Sequence, residues 1–201
     1  MRGDAAQAVR ADPADLRRRR RRHTTLTEAA RSVTSRAVLS AGSNIGDREA
    51  FLRSVVDAAG DDLIVVSDVY LTAPWGGVEQ DDFANVTLIV EADRTPEEWL
   101  EFCRSCERAA ERIRDVRWGP RTLDVDVITV DVDGQTMVSD DPDLTLPHPR
   151  AELRAFVLVP WLAVDPDAVI VTAAGPRAVV EVVKGLDSAE VAGVRRAGAL
   201  R

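Results

Sequence analysis

Between Ala37 and Val130 two apolar periods alternate along the chain, and the order in which they do so restricts it to few folds. Ala37-Val38-Leu39-Ser40-Ala41 has the character of a short buried strand, Gly42 to Gly46 that of a turn, and Asp47 that of a helix cap. Phe51, Leu52, Val55, Val56 and Ala59 then recur at helical spacing until Gly60. Leu63 to Tyr70 reads as a second strand, Thr72 to Asp82 as a Pro/Gly-rich loop and Val86 to Val90 as a third strand. Thr95-Pro96-Glu97-Glu98 opens another helix with a cap, a proline at the first position and acids in the first turn; Trp99, Leu100 and Cys103 give its buried stripe. Leu123 to Val130 is a fourth strand, closed by the turn Asp131-Val132-Asp133-Gly134. The order βαββαβ predicts an α+β fold, a ferredoxin-like sandwich whose antiparallel sheet has helices on one face and the site on the other. From Pro147 onward the chain reads as irregular, then helical around Arg177 to Lys184, and no internal repeat is present.

The amino-terminal segment is a different object. Residues 1–36 hold ten arginines against four acids, about +6, whereas residues 37–201 hold 16 basic and 30 acidic groups, about −14. With clustered charge and no apolar period, residues 1–36 are expected to be a basic disordered tail and residues 37–201 the folded domain. The six arginines Arg17 to Arg22 are followed by His23-Thr24-Thr25-Leu26, where an export signal requires an apolar segment, and Asp4, Asp12 and Asp15 oppose a transit peptide. No aromatic residue interrupts the run to stack on a base, so no specific nucleic-acid partner is expected, although the run could engage a polyanion or the acidic domain itself. The longest apolar run, Ala155 to Val164, falls well short of the roughly 20 residues that cross a bilayer and contains Pro160. A cytoplasmic protein without a membrane partner is expected. Cys103 and Cys106, one helical turn apart, lack a second ligand pair and the setting that activates a thiolate, and read as two small buried thiols.

Chemistry concentrates between Glu107 and Asp126. Asp124 and Asp126 alternate on a strand, so both carboxylates project from one face, about 6 to 7 Å apart at the backbone. Oxygen ligands of this kind suit Mg²⁺ held by one or two carboxylates together with substrate phosphates. Arg108, Arg112, Arg114, Arg117 and Arg121 nearby can bind phosphate oxygens by paired hydrogen bonds, which points to phosphoryl transfer. The bland reading makes the two acids the wet face of an amphipathic strand, but the density of arginines, Trp118 and the Gly119-Pro120 turn weigh against it. Lys184 is the sole lysine, in a context that is neither a P-loop nor a kinase strand, so arginines and backbone must hold any nucleotide.

Four segments, in order, carry a resemblance. They are Leu39-Ser40-Ala41-Gly42-Ser43-Asn44-Ile45-Gly46-Asp47-Arg48; Tyr70 to Gly76 with Phe83-Ala84-Asn85; Arg117-Trp118-Gly119-Pro120-Arg121-Thr122-Leu123-Asp124-Val125-Asp126; and Leu146-Pro147-His148-Pro149-Arg150 with Arg154-Ala155-Phe156. Over about residues 37–170 the chain resembles the 6-hydroxymethyl-7,8-dihydropterin pyrophosphokinases of folate biosynthesis. The resemblance implies transfer of pyrophosphate from ATP to the pterin hydroxymethyl group, with AMP leaving. It implies two Mg²⁺ on Asp124 and Asp126, with Arg112 and Arg121 as catalytic cations. The pterin would be held by Thr72, Ala73, Pro74, Trp75 and Asn85 between the rings of Phe83 and Phe156, and ATP by Glu107, Arg112, Arg114, Trp118, Arg121, Val127, Thr145, His148 and Arg154. A monomer acting on these small-molecule substrates is expected. Phe83 stands where the family often has tyrosine, Arg104 where it has glutamine and Glu111 where it has glycine. Two other readings stand beside this one: a metal-dependent nucleotidyltransferase built on Gly42-Ser43 and the acids, and a polyanion-binding protein led by the arginine tail. AMP release, pyrophosphate release and salt-sensitive polyanion binding separate the three.

Overall fold

The computed structural model describes residues 34–74, 81–111 and 121–200. The expected tail therefore lies outside the described residues except for its last three positions, which already belong to the first strand, β1 (Thr34–Ser43). This strand is longer than its apolar run because Ser35, though polar, is 1% exposed and satisfied: its hydroxyl donates to the Arg94 carbonyl (2.6 Å) and accepts from Trp99 Nε1 (2.8 Å).

Helix α1 (Arg48–Ala59) begins at Asp47, whose carboxylate accepts from the Ala50 N–H at 3.0 Å, and stops at Gly60 with φ 50°. The stretch expected to be one strand is two, β2 (Leu63–Val66) and β3 (Val69–Thr72). Ser67 makes the break. Its N–H donates to the Thr87 carbonyl, but the Thr87 N–H donates to its side-chain hydroxyl, both at 2.9 Å, so a side chain replaces a backbone group in the ladder. Both strands pair with β4 (Phe83–Asp93). Helix α2 (Pro96–Ala109) starts at the expected cap, which is a capping box, with Thr95 and Glu98 each accepting from the other's backbone N–H. Strand β5 (Asp124–Val132) turns at Asp133 and Gly134, both at positive φ, into β6 (Gln135–Thr136), and a hairpin of β7 (Ser139–Asp141) and β8 (Leu144–Leu146) follows.

The sequence reading did not anticipate α3 (Ala155–Val164), the segment expected to be irregular. Pro160 lies inside it and has no N–H to give the carbonyl four residues back. The helix has no polar face to produce a period because it is buried between the sheet and the C-terminal elements. These are β9 (Val169–Thr172), β10 (Gly175–Ala178), α4 (Val179–Lys184), α5 (Ser188–Ala192) and β11 (Arg195–Gly198).

The main sheet runs β11-β3-β4-β1-β5-β6 with antiparallel neighbours, as a ferredoxin-like α+β sandwich requires, and β2 adds a further pairing to β4. One face carries Leu39, Ala41, Val86 and Leu88 and is closed by Leu52 and Val55 of α1 and Trp99 and Cys103 of α2. On the other face Val38, Ile89 and Ile128 pack against Val157, Leu158 and Trp161 of α3, so the face expected to stay open is covered along its middle. β5 has one extra residue, Ile128, against β1: by alternation Asp124, Asp126 and Ile128 face the second side and Val125 and Val127 the first core, and the bulge returns Val130 to that core as well. Cys103 and Cys106 are buried and unbonded to each other, as expected, and burial pushes the Cys103 thiol well above its ordinary range.

Candidate active site

On the second face, at the end of β1 that leads into α1, one row of residues runs across four strands. Tyr70 of β3 is opposite Asn85 of β4, Asn85 opposite Gly42 of β1, and Gly42 opposite Asp124 of β5. Adjacent strands lie about 4.8 Å apart, so Asn85 and Asp124 stand roughly 10 Å from each other with only glycine between. A Cβ on Gly42 would lie 2.9 Å from Asn85 Oδ1. The Asn85 amide is fixed: Nδ2 donates to the Thr72 hydroxyl (2.9 Å) and the Tyr70 carbonyl (3.4 Å), so Oδ1 is the atom turned over the glycine floor. The Phe83 ring borders the same floor, 3.8 Å from that Cβ position. Thr72 is buried, Ala73 exposed and Pro74 half-buried.

Both β5 carboxylates have arginine partners. Arg121 pairs with Asp124, and Arg154 Nη1 lies 3.3 Å from Asp126 Oδ2. Arg154 is 8% exposed, its guanidinium sits 5.4 Å over the Phe156 ring, and its Nε has no hydrogen-bond partner. A cation held this deep, with a donor unused, is suited to an anionic ligand. His148 is tied to the bulge of β5, where its N–H donates to the Ile128 carbonyl at 2.8 Å. Its Nδ1 accepts from the Arg150 N–H at 3.2 Å, and its Nε2 stands 3.8 Å from Asp126 Oδ2. Burial holds the His148 pKa below its ordinary value, against the pull of Asp126 and with the aid of Arg154 and Arg150. With Nδ1 accepting, the neutral ring keeps its proton on Nε2 and donates toward the carboxylate face.

Several expected contacts are placed differently from one another. Glu107 is 7% exposed, and its Oε1 accepts from the Val125 N–H at 3.1 Å, so it caps the outer edge of β5. Val127 points into the first core, leaving only its backbone for a ligand. Thr145, on β8, donates its hydroxyl to the Asp141 carbonyl at 3.0 Å. Trp75, Arg112, Arg114 and Trp118 lie outside the described residues. The sequence reading assigned no role to Asn44, which joins three loops: its N–H donates to the Arg121 carbonyl (3.1 Å), its Oδ1 accepts from the Arg121 N–H (2.8 Å), and its Nδ2 donates to the Asp81 carbonyl (3.3 Å). Its signal was available, an amide-bearing residue in the turn that opens the first helix.

Among the described residues no three His, Cys, Asp or Glu side chains converge into a metal cage, so the β5 pair would need substrate or water oxygens to complete a shell. A separate cleft of about 690 Å³ at the opposite end of the sheet is lined by Asp62, Arg94, Glu98 and Glu101, whose charges are already matched by Arg94–Asp62, Arg108–Glu101 and the capping box. The reactive groups are not there.

A family model described as 7,8-dihydro-6-hydroxymethylpterin-pyrophosphokinase (HPPK) matches residues 38–166, which include every described site residue. The chain belongs to the HPPK family. It is 50% identical over 168 residues to the 2-amino-4-hydroxy-6-hydroxymethyldihydropteridine pyrophosphokinase of Mycobacterium bovis, covering 80% of this chain and 89% of that relative. The Mycobacterium leprae enzyme of the same name is 47% identical, covering 80% and 88%, and that of Methylorubrum extorquens 42%, covering 68% and 86%. A crystal structure of a Plasmodium falciparum HPPK-DHPS with pteroate has a TM-score of 0.56 at 12% identity and covers 81% of this chain; this chain spans 45% of that one, and the likeness is one of fold. As a pyrophosphokinase of this family, the protein is a diphosphotransferase of folate biosynthesis with ATP as co-substrate.

Proposed function

We propose that the row from Asn85 to Asp124 is where this HPPK brings its two substrates together, the pterin over Asn85 and Gly42 and the ATP phosphates over Asp124 and Asp126. The observation that carries this reading is the placement of a fixed amide acceptor and two arginine-paired carboxylates on either side of a single glycine. The all-oxygen donors on one strand face fit Mg²⁺, and Asp124 and Asp126 are assigned as the residues that hold two such ions. When bound, the ions neutralise phosphate charge.

The chain's own groups account for the remaining steps. Asn85 Oδ1 accepts from an N–H of the pterin, and Phe83 and Phe156 offer rings to its faces. The pterin hydroxyl oxygen forms a bond to the β-phosphorus and gives up its proton to solvent water, while the bond from that phosphorus to the oxygen of the α-phosphate breaks, and AMP leaves with that oxygen. Arg121 and Arg154, joined by Arg112, turn from carboxylates to phosphate oxygens as charge spreads, and His148 Nε2–H donates to another. Holding the two reactants in line over the sheet supplies much of the rate. Glu107, Arg114, Trp118, the Val127 backbone and Thr145 complete the nucleotide contacts, and Thr72 to Trp75 the pterin contacts.

The enzyme is further proposed to act as a cytoplasmic monomer on small molecules. A net charge of about −14 over residues 37–201 opposes a nucleic-acid partner for the domain, and no helix among the described residues is long and apolar enough to cross a membrane.

The test is AMP formation from ATP and Mg²⁺ with and without 6-hydroxymethyl-7,8-dihydropterin. Pterin-dependent AMP, reduced at least about 100-fold in Asp124→Ala, is expected. Pyrophosphate in place of AMP would support nucleotidyl transfer instead.

A further inference from the structure

The family match ends at residue 166, and β11 lies beyond it. β11 pairs with the outer edge of β3, Arg195 opposite Leu71 and Arg196 opposite Tyr70, and without it the four-residue β3 would be the edge of the sheet. Its two arginines reach past the ladder to acids at opposite ends of β3. Arg196 Nε donates to the carboxylate of Asp68, just before β3, and Arg195 Nη2 donates to Asp82 Oδ2 at 2.7 Å, just before β4. The Asp82 carbonyl is held as well, by Arg48 Nη1 at 2.7 Å. Asp82 adjoins Phe83, and Phe83 is opposite Thr72. The two oxygens that fix the Asn85 amide, the Tyr70 carbonyl and the Thr72 hydroxyl, both belong to β3.

We infer that β11 is a positioning strand for the acceptor substrate: Arg195 and Arg196 hold β3 and the start of β4 in the register that aims Asn85 Oδ1 and the Phe83 ring, so the strand sets pterin affinity without touching the pterin. This rests on the pterin reading of that half of the site. The arginine side chains are 62% and 66% exposed, and ion pairs so open to water add little to global stability. Their effect is local, at a short outer strand where opening is easy.

The experiment is the double variant Arg195→Ala/Arg196→Ala in the full chain, compared with Arg195→Lys/Arg196→Lys. The alanine variant is expected to raise the KM for the pterin roughly fivefold while the KM for ATP and kcat stay within about twofold and Tm within about 2 °C, with the lysine variant recovering most of the loss. Hydrogen exchange should quicken over residues 69–72 and 83–85 relative to 37–41. An unchanged pterin KM in a variant whose parent turns over normally overturns this inference alone. Equal rises in both KM values with a falling Tm would make β11 a general stabiliser and overturn it too. A parent enzyme that makes no pterin-dependent AMP removes the proposed function, and this inference with it.

Discussion

A Cβ on Gly42 would lie 2.9 Å from Asn85 Oδ1, closer than the two atoms tolerate, and Asn85 is already bonded on its other side to Thr72 and Tyr70. Gly42→Ala is therefore expected to displace the Asn85 amide and raise the KM for the pterin about tenfold with little change for ATP, as steady-state kinetics with each substrate varied would show. If the two KM values moved together, the glycine would serve the whole sheet rather than the pterin side. The cysteines make a second prediction. Burial raises both thiol pKa values, so at pH 8 the thiolate fraction is smaller than for an ordinary cysteine. Neither Cys103 nor Cys106 is expected to react appreciably with a disulfide reagent until the protein is unfolded, and rapid modification of the native protein would contradict their burial in the first core. At this scale the sequence was most legible where a residue's neighbours in space are also its neighbours in the chain. Asp124 and Asp126 show their common face by strand alternation alone. The orientation of Asn85 depends on Tyr70 and Thr72 and could not be read from its own segment.

The elements that announced themselves are the ones with chemical punctuation. Thr95-Pro96-Glu97-Glu98 forms the capping box that its residue types require, and Thr95→Ala is expected to cost about 1 kcal/mol in denaturant unfolding. The other end of α2 runs against its sequence. Glu111 follows the helix in the left-handed region at φ 51°, the conformation that favours glycine, and this gives a backbone reason for the glycine that the family resemblance places there. Glu111→Gly is expected to stabilise the protein by about 1 kcal/mol, or 2 to 4 °C in Tm, and an unchanged or lowered Tm would show that the carboxylate offsets the strain. Two elements stayed hidden for different reasons. The β2–β3 break depends on a serine hydroxyl standing in for a backbone carbonyl, which leaves the apolar pattern unbroken. Helix α3 shows no period because apolar neighbours surround it, and its internal proline argues against a helix.

For the molecule as a whole, the strand and helix order gave the sandwich correctly, but not its second covering layer. Leu158, fully buried between α3 and the sheet, tests that layer: Leu158→Ala is expected to cost 2 to 5 kcal/mol, about as much as truncating a residue of the first core such as Leu52. A cost below about 1 kcal/mol would mean that α3 is a loosely attached cover. Neither pairing of β11 could be read in advance, since Arg195 with Asp82 and Arg196 with Asp68 join segments more than 110 residues apart in the chain. That separation has a consequence for biosynthesis. A ribosome releases β3 and β4 long before residues 195–198, so the growing chain presents the outer backbone edge of β3 unpaired until those residues emerge. Over that interval the nascent protein carries an open strand edge of the kind that recruits another extended chain, and the arrival of β11 is what closes it.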